Sequence, residues 1–256
     1  MSGIKTENYF LALSERFKAY SARFLRMEEV SAGPIQLKTD HTFRVVDEIT
    51  KLYARHSHPG VSLDLAASTA LLHDIGRFQQ YASFGTYDDR ISINHAALSV
   101  VVIDQLDLLA CFQEREQELL REAVLHHNAQ SVPARLSGAG AFLLRLLRDA
   151  DKLDIWRVVL DLDTGDSEDD RCSAEVVELV KQFRSVPYSL VGTAMETRLF
   201  RISWVFDISF AETIRAVLER GYLERMASRL PDTREFADLS LGIRQMLLCR
   251  LEACSP

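Results

Sequence analysis

Residues Ser62 to Arg77 read SLDLAASTALLHDIGR. Leucine and alanine, both strong helix formers, fill the stretch, and Ser62 and Asp64 carry the side-chain oxygens that open a helix. Gly76 reads as the stop, because glycine readily takes the left-handed conformation that ends helices. One helix is therefore expected from about Ser62 to Gly76, and near its end lies the adjacent pair His73-Asp74.

The pattern on either side is also helical. Tyr9, Phe10, Leu13, Phe17, Tyr20 and Phe24 recur at helical spacing and predict a helix over Asn8 to Met27. After a break at Ser31-Ala32-Gly33-Pro34, a second helix is expected from Thr39 or Asp40, both good N-caps, to about His56, with His58-Pro59-Gly60 as a turn. The segment Arg77 to Ile93 is polar and aromatic and reads as a loop, suited to forming the wall of a site. Further helices are expected at Asn94 to Leu109, Glu114 to His127, Gly140 to Leu160, Ala174 to Phe183, Arg198 to Phe206, Ala211 to Met226 and Arg234 to Leu251. The acidic run Asp161 to Asp170 (DLDTGDSEDD) does not keep the register of a calcium loop and reads as a solvated linker or helix cap. Gly and Pro are scarce, at 11 and 6 residues, and no alternating strand pattern extends far. The fold class is all-α, organised as a helical domain over residues 1–165 and a C-terminal helical region over 166–256 packed on the core.

At 256 residues, 47% hydrophobic and with a mean hydropathy of -0.04, the chain has the composition of a soluble globular protein. The net charge of -7 argues against binding long nucleic acid, which calls for a basic stripe, but leaves room for a nucleotide. Cys111, Cys172, Cys249 and Cys254 share no metal or redox spacing and read as free thiols. Met1 to Phe10 holds no apolar signal core, and no apolar run approaches the roughly 18 residues of a membrane span. A cytoplasmic protein without a membrane partner is expected.

The histidines carry the chemistry. His41 leads a stripe with Val45, Ile49 and Leu52; His95 leads one with Leu98, Val102 and Leu106. His127 shares the face of Leu120, Ala123 and Val124, whereas His126 sits nearer Glu118 and Glu122. Asp151 has Leu144, Leu147, Ile155 and Val158 as its helical neighbours, so a carboxylate is directed at the core. Burying an ionised carboxylate without a partner is very unfavourable. Each histidine taken singly could be an ordinary core residue, and Asp151 could pair with Arg148 or Lys152. Convergence is the stronger signal: four helices direct a His or Asp inward, and a fifth supplies His73-Asp74. Imidazoles and carboxylates together suit Zn, Mn, Fe or Co.

The order His41, then His73-Asp74, then Asp151 resembles the HD superfamily of metal-dependent phosphohydrolases, named for its His-Asp doublet. Leu71-Leu72-His73-Asp74-Ile75-Gly76-Arg77 is similar to the doublet motif, and Asp149-Ala150-Asp151-Lys152-Leu153 to the distal aspartate motif. His95 and His126-His127-Asn128 match the positions that bind a second metal in dinuclear members, and the likeness spans about residues 36 to 160. The resemblance implies an HD-type helical bundle in which His41, His73, Asp74 and Asp151 hold one divalent ion. Asp74 would bridge to a second ion held by His95 and by one or both of His126 and His127, with His127 favoured by its apolar face. The ions would be drawn from Mn, Fe, Co and Zn.

That ligand set implies hydrolysis of a phosphate ester, in a nucleotide or another small phosphorylated metabolite, by a metal-activated water. Asp74 would serve in catalysis, with Arg77 and Lys152 as phosphate clamps. His127 is followed by Asn-Ala-Gln-Ser-Val-Pro, so the Gly-Tyr-Pro signature of the branch that cleaves cyclic dinucleotides is missing. Two other readings share the ligands: a mixed-valent di-iron oxygenase, and a non-catalytic domain that senses a nucleotide. His56 and His58 read as surface residues. The aromatic run Phe200, Ile202, Trp204, Val205, Phe206, Ile208 and Phe210 is expected to pack on the core, with a pocket wall or homodimer interface as the alternative.

Overall fold

The computed structural model describes residues 7–162 and 171–253. Among these the regular elements are all helices and no strand forms; a lone antiparallel bridge joins His58 and Val61. No helix among the described residues is long and apolar enough to cross a membrane. The chain divides into two compact units, Met1–Asp151 and Lys152–Pro256.

The first unit contains α1 (Glu7–Leu25), α2 (Ala32–Arg55), α3 (Leu63–Leu72), α4 (Gly76–Phe84), α5 (His95–Gln105), α6 (Glu114–His126) and the start of α7 (Gly138–Leu162). At its centre lies α3, where every residue from Leu65 to Leu72 is buried. A helix apolar on all sides can be stable only when surrounded, and α3 packs against α1, α2 and α6. Ser62 caps it by accepting the Leu65 N–H at 3.1 Å. Phe17 of α1 meets Phe43 and Phe78 edge-on at centroid distances of 5.7 and 5.6 Å, which ties α1, α2 and α4 together.

Two boundaries here depart from the pattern expected of the sequence. The second helix begins at Ala32, not at Thr39 or Asp40. Pro34 falls in its first turn, where a missing N–H removes no intrahelical bond, so the proline does not break it. Residues Arg77 to Phe84, expected as the start of a loop, belong to α4, and the loop is confined to 85–94. Gly76 is not a stop. A Cβ there would lie 2.5 Å from the Ser99 nitrogen and 2.9 Å from the His95 carbonyl oxygen, so glycine is needed for close approach to α5. The stop is Gly85, at φ 67°.

The second unit takes in the rest of α7, then α8 (Ala174–Lys181), α9 (Ala194–Ser203), α10 (Ala211–Glu219), α11 (Tyr222–Ala227) and α12 (Arg234–Ala253), with 3-10 turns at Tyr188–Leu190 and Trp204–Asp207. The sequence pattern predicts one helix over 211–226, but Gly221 at φ 63° separates α10 from α11. The core gathers Trp156, Leu199, Val205, Val217 and Leu247, and the Trp156 indole donates to the Arg201 carbonyl at 2.9 Å. Ile202, Val205 and Ile208 of the aromatic run are buried in that core, and Phe200, Trp204 and Phe206 pack against it. Of the acidic run, Asp161 and Leu162 end α7, and 163–170 lie outside the described residues, as does Cys254. Cys111, Cys172 and Cys249 are free thiols.

Candidate metal centre

The His73-Asp74 doublet is buried because the central helix ends in it. His73 is the C-cap of α3 and fully buried, and Asp74 is 3% exposed. A helix C-terminus carries partial negative charge, which favours a cation nearby. Four other elements meet this point. α2 brings His41, and the first turn of α5 brings His95, behind an Asn94 cap that accepts the Ala97 N–H at 3.0 Å. Gly76, at the close approach described above, donates its N–H to Ser99 Oγ at 2.9 Å and so holds α5 against the doublet. His127 follows α6, and the turn beyond it is fixed by Arg148, which donates to the carbonyls of His127, Ala129 and Gln130. Asp151 comes from α7.

The side chains form two sets that share Asp74. Its Oδ2 lies 3.7 Å from His41 Nε2 and 3.6 Å from His73 Nε2. Asp151 Oδ1 completes that set at 3.2 Å from His41 Nε2 and 3.6 Å from His73 Nε2. Asp74 Oδ1 faces the other way, 3.5 Å from His95 Nε2 and 3.6 Å from His127 Nε2. Ligand atoms of His41, His73 and Asp74, of Asp74, His95 and His127, and of His73, His127 and Asp151 all come within 4.8 Å of one another in each group.

Tautomers follow from the other ring nitrogens. His73 Nδ1 lies 2.7 Å from the Ala70 carbonyl, and His127 Nδ1 lies 2.7 Å from the Val124 carbonyl. His95 Nδ1 lies 2.6 Å from Asp89 Oδ2. A carbonyl or an ionised carboxylate can only accept, so in each ring Nδ1 carries a proton, and in the neutral ring Nε2 presents a lone pair. This makes the 3.0 Å approach of His95 Nε2 to His127 Nε2 a contact between two acceptors, which calls for a positive charge.

The electrostatics keep the carboxylates ionised and His95 neutral, while at His73 the opposing pull of burial is outweighed by Asp74 and Asp151, which raise the pKa of the ring. Burial alone would raise the Asp74 carboxyl, but Lys38, His73, His127 and Arg77 hold it well below the usual carboxylate range. Burial opposes ionisation of Asp151 in the same way, and the His41 and His73 imidazoles outweigh it, so it too is held low. Burial pushes His95 down to about 4, so its ring stays neutral and able to coordinate near neutral pH.

The HD domain family model matches residues 39–156. The chain carries an HD domain. HD domains are for the most part metal-dependent hydrolases of a phosphohydrolase superfamily, and they bind divalent metals. Comparison with curated proteins and with solved structures finds no significant match.

The donor set of this HD domain fits divalent ions. His73 Nε2, Asp74 Oδ1 and Asp151 Oδ1 are buried and form no hydrogen bond among the described residues. An unsatisfied buried polar atom is costly, and a metal ion satisfies several together. Mixed imidazole and carboxylate donors suit Mn, Fe, Co or Zn. His41, His73, Asp74 and Asp151 would hold one ion, and Asp74, His95 and His127 another.

The other residues singled out in the sequence lie differently. His126 is not brought to the cluster: its Nε2 is 2.7 Å from an Arg135 nitrogen and 3.5 Å from Glu122. Lys152 belongs to the second unit, where its ammonium pairs with Asp207 at 2.6 Å. Arg77 is at the site, but one guanidinium nitrogen is occupied by Gln80, the Tyr87 carbonyl and Asp89 at 2.8, 2.6 and 3.0 Å. Its second terminal nitrogen lies 3.2 Å from His95 Nε2. His56 and His58 stay outside the cluster; His58 stacks on Phe142 and accepts the Gly60 N–H.

Sequence pattern does not single out Lys38, Asp89 or Gln80. Lys38 Nζ sits 2.7 Å from Asp74 Oδ2. Asp89 holds His95 and is itself held by Arg77 and by the buried Gln80, whose amide donates to it at 2.9 Å. A signal for Lys38 exists in hindsight: it precedes His41 by one helical turn, on the same face, once the helix extends back past Thr39.

Proposed function

We propose that this HD domain hydrolyses a phosphate ester of a nucleotide or another small phosphorylated metabolite, using two divalent ions. The observation that carries the reading is the division of Asp74: each carboxylate oxygen faces a separate set of imidazoles, the arrangement suited to bridging two cations. When bound, such ions lower the pKa of a water toward neutrality, so that it can attack phosphorus, and draw charge from the phosphate oxygens.

The chain's own residues do the rest. His73, His95 and His127 are locked by their Nδ1 bonds into one tautomer, so that no reorganisation precedes coordination. Arg77 positions, through Asp89, the loop at 85–94 beside the cluster, and its charge helps to keep Asp74 ionised. The Tyr87 hydroxyl donates to the Pro34 carbonyl at 2.9 Å, tying that loop to the first turn of α2. A small substrate, not long nucleic acid or a membrane, fits the acidic charge balance.

The test is elemental analysis of the purified protein together with a phosphate-release screen over Mn, Co, Fe and Zn. About two metal equivalents, with release that depends on them, is the expected result. Iron retained without any phosphate release would move the assignment to an oxygenase, and no bound metal under any condition would overturn it.

A further inference from the structure

Lys38 poses a problem for the metal centre. Its ammonium is 2.7 Å from Asp74 Oδ2, the oxygen that His41 and His73 also face, and its side chain is 16% exposed. Besides Asp74, its ammonium meets only the face of the Tyr87 ring among the described residues, 5.7 Å from the centroid. Arg77 stacks on the same ring at 5.8 Å, but Arg77 is committed to Gln80, Tyr87 and Asp89. Of these two cations beside Asp74, Lys38 is the one whose charge is free to change partner.

A cation so close to a ligand oxygen must stand beside any divalent ion which that oxygen binds. Two cations sharing the single carboxylate oxygen Asp74 Oδ2 in a buried site still repel, and a further anionic oxygen relieves the repulsion. A phosphoryl oxygen has the required charge, and a flexible ammonium is a suitable point donor for it. On the phosphohydrolase reading above, we infer that Lys38 is the phosphoryl-binding residue of this site. It competes with the metal for Asp74 and is released to the substrate phosphate when metal and phosphate bind together. Lys38 thereby couples the two binding events, each tightening the other by the same factor.

The test is titration calorimetry of the full chain with Mn2+ alone, with Mn2+ in the presence of inorganic phosphate, and with phosphate on the Mn-loaded protein. Lys38→Met, Lys38→Gln and Lys38→Arg are compared with the parent chain, and retention of helical circular dichroism confirms each fold. In both neutral variants phosphate should bind about tenfold or more weakly, the loss typical of a charged hydrogen bond. Mn2+ alone should bind as well as in the parent or better, and the tightening of Mn2+ by phosphate should shrink. Lys38→Arg should keep most of the phosphate affinity. A strut that merely holds Asp74 in place gives the opposite result: Mn2+ alone bound tenfold more weakly in both neutral variants overturns the proposal. Phosphate affinity unchanged in them overturns it as well. Failure of the hydrolase reading looks different, since it is an absence of phosphate release from the parent chain while phosphate binding still depends on Lys38.

Discussion

In the second unit, Glu196 is buried, but its carboxylate accepts the backbone N–H groups of Ser173, Gly192 and Thr193 at 3.0, 2.9 and 3.1 Å. Lys152 and Asp207 pair there at 2.6 Å, and the buried Ser203 hydroxyl accepts from the Val186 N–H at 3.0 Å. The first unit treats its buried charges otherwise. His73 Nε2, Asp74 Oδ1, Asp151 Oδ1 and Arg77 Nε are all buried without a hydrogen bond among the described residues, and all four lie around one point. Such atoms destabilise a fold unless something satisfies them. The second unit uses these buried polar groups to close its own helices and turns; the first uses Arg148 and Gln80 in that way but leaves the groups around Asp74 convergent and incomplete. Thr213 Oγ1, in the second unit, is a single buried hydroxyl in that condition and not part of a cluster.

This contrast can be broken most directly at Asp74. Asp74→Ala removes the carboxylate shared by both imidazole sets, so metal content should fall by at least one equivalent and activity to background. Elemental analysis and phosphate release measure both, and an active, fully loaded variant would sink the mechanism. The complementary change is Leu199→Ala in the second unit, where Leu199 is fully buried. It should cost about 2–5 kcal/mol of stability in thermal or denaturant unfolding, through lost burial and a residual cavity. Metal equivalents per folded molecule should not change. If Leu199→Ala strips metal as thoroughly as Asp74→Ala, the division between a stabilising and a functional core fails.

A finer test is Asp89→Asn. Asp89 holds the His95 ring by its Nδ1, and the His95 imidazole, with Arg77 and Gln80, keeps the Asp89 carboxyl well below its ordinary range against the effect of burial. The amide keeps the shape but removes the charge that fixes the ring. Metal affinity of the set containing His95 should fall roughly 10–100-fold, as is usual when the partner of a ligating histidine is lost. The set containing His41 should keep its affinity. Equal weakening of both would show that Asp89 acts through the general charge of the site and not through His95.

Much of the fold can be read from helical period, because a stripe such as His41, Val45, Ile49 and Leu52 depends only on local geometry. The misread boundaries have one cause. Gly76 resembles a stop within its own helix, and only the nearness of Ser99 explains why a side chain is excluded there. Pro34 resembles a break until the helix is seen to begin two residues before it. For the site, inward direction is legible for His41, His95, His127 and Asp151. Lys38 and Asp89 are not legible, since a lysine among Gln36, Leu37 and Thr39, or an aspartate within Asp88-Asp89-Arg90, looks like ordinary surface charge.

By itself, then, the sequence determined that this is a helical protein carrying an ordered set of imidazoles and carboxylates directed into its interior. Helical period settles which way a side chain points from its own helix. It says nothing of how far that side chain lies from another 36 residues away, the separation between Lys38 and Asp74. Only the packing of α2, α3, α5, α6 and α7 decided that His127 enters the cluster while His126 turns to Arg135. Packing also gave the two oxygens of Asp74 to different partners and set a lysine ammonium against one of them. Those distances depend on close contact between distant segments, where a shift of an ångström decides whether two groups coordinate, pair or miss.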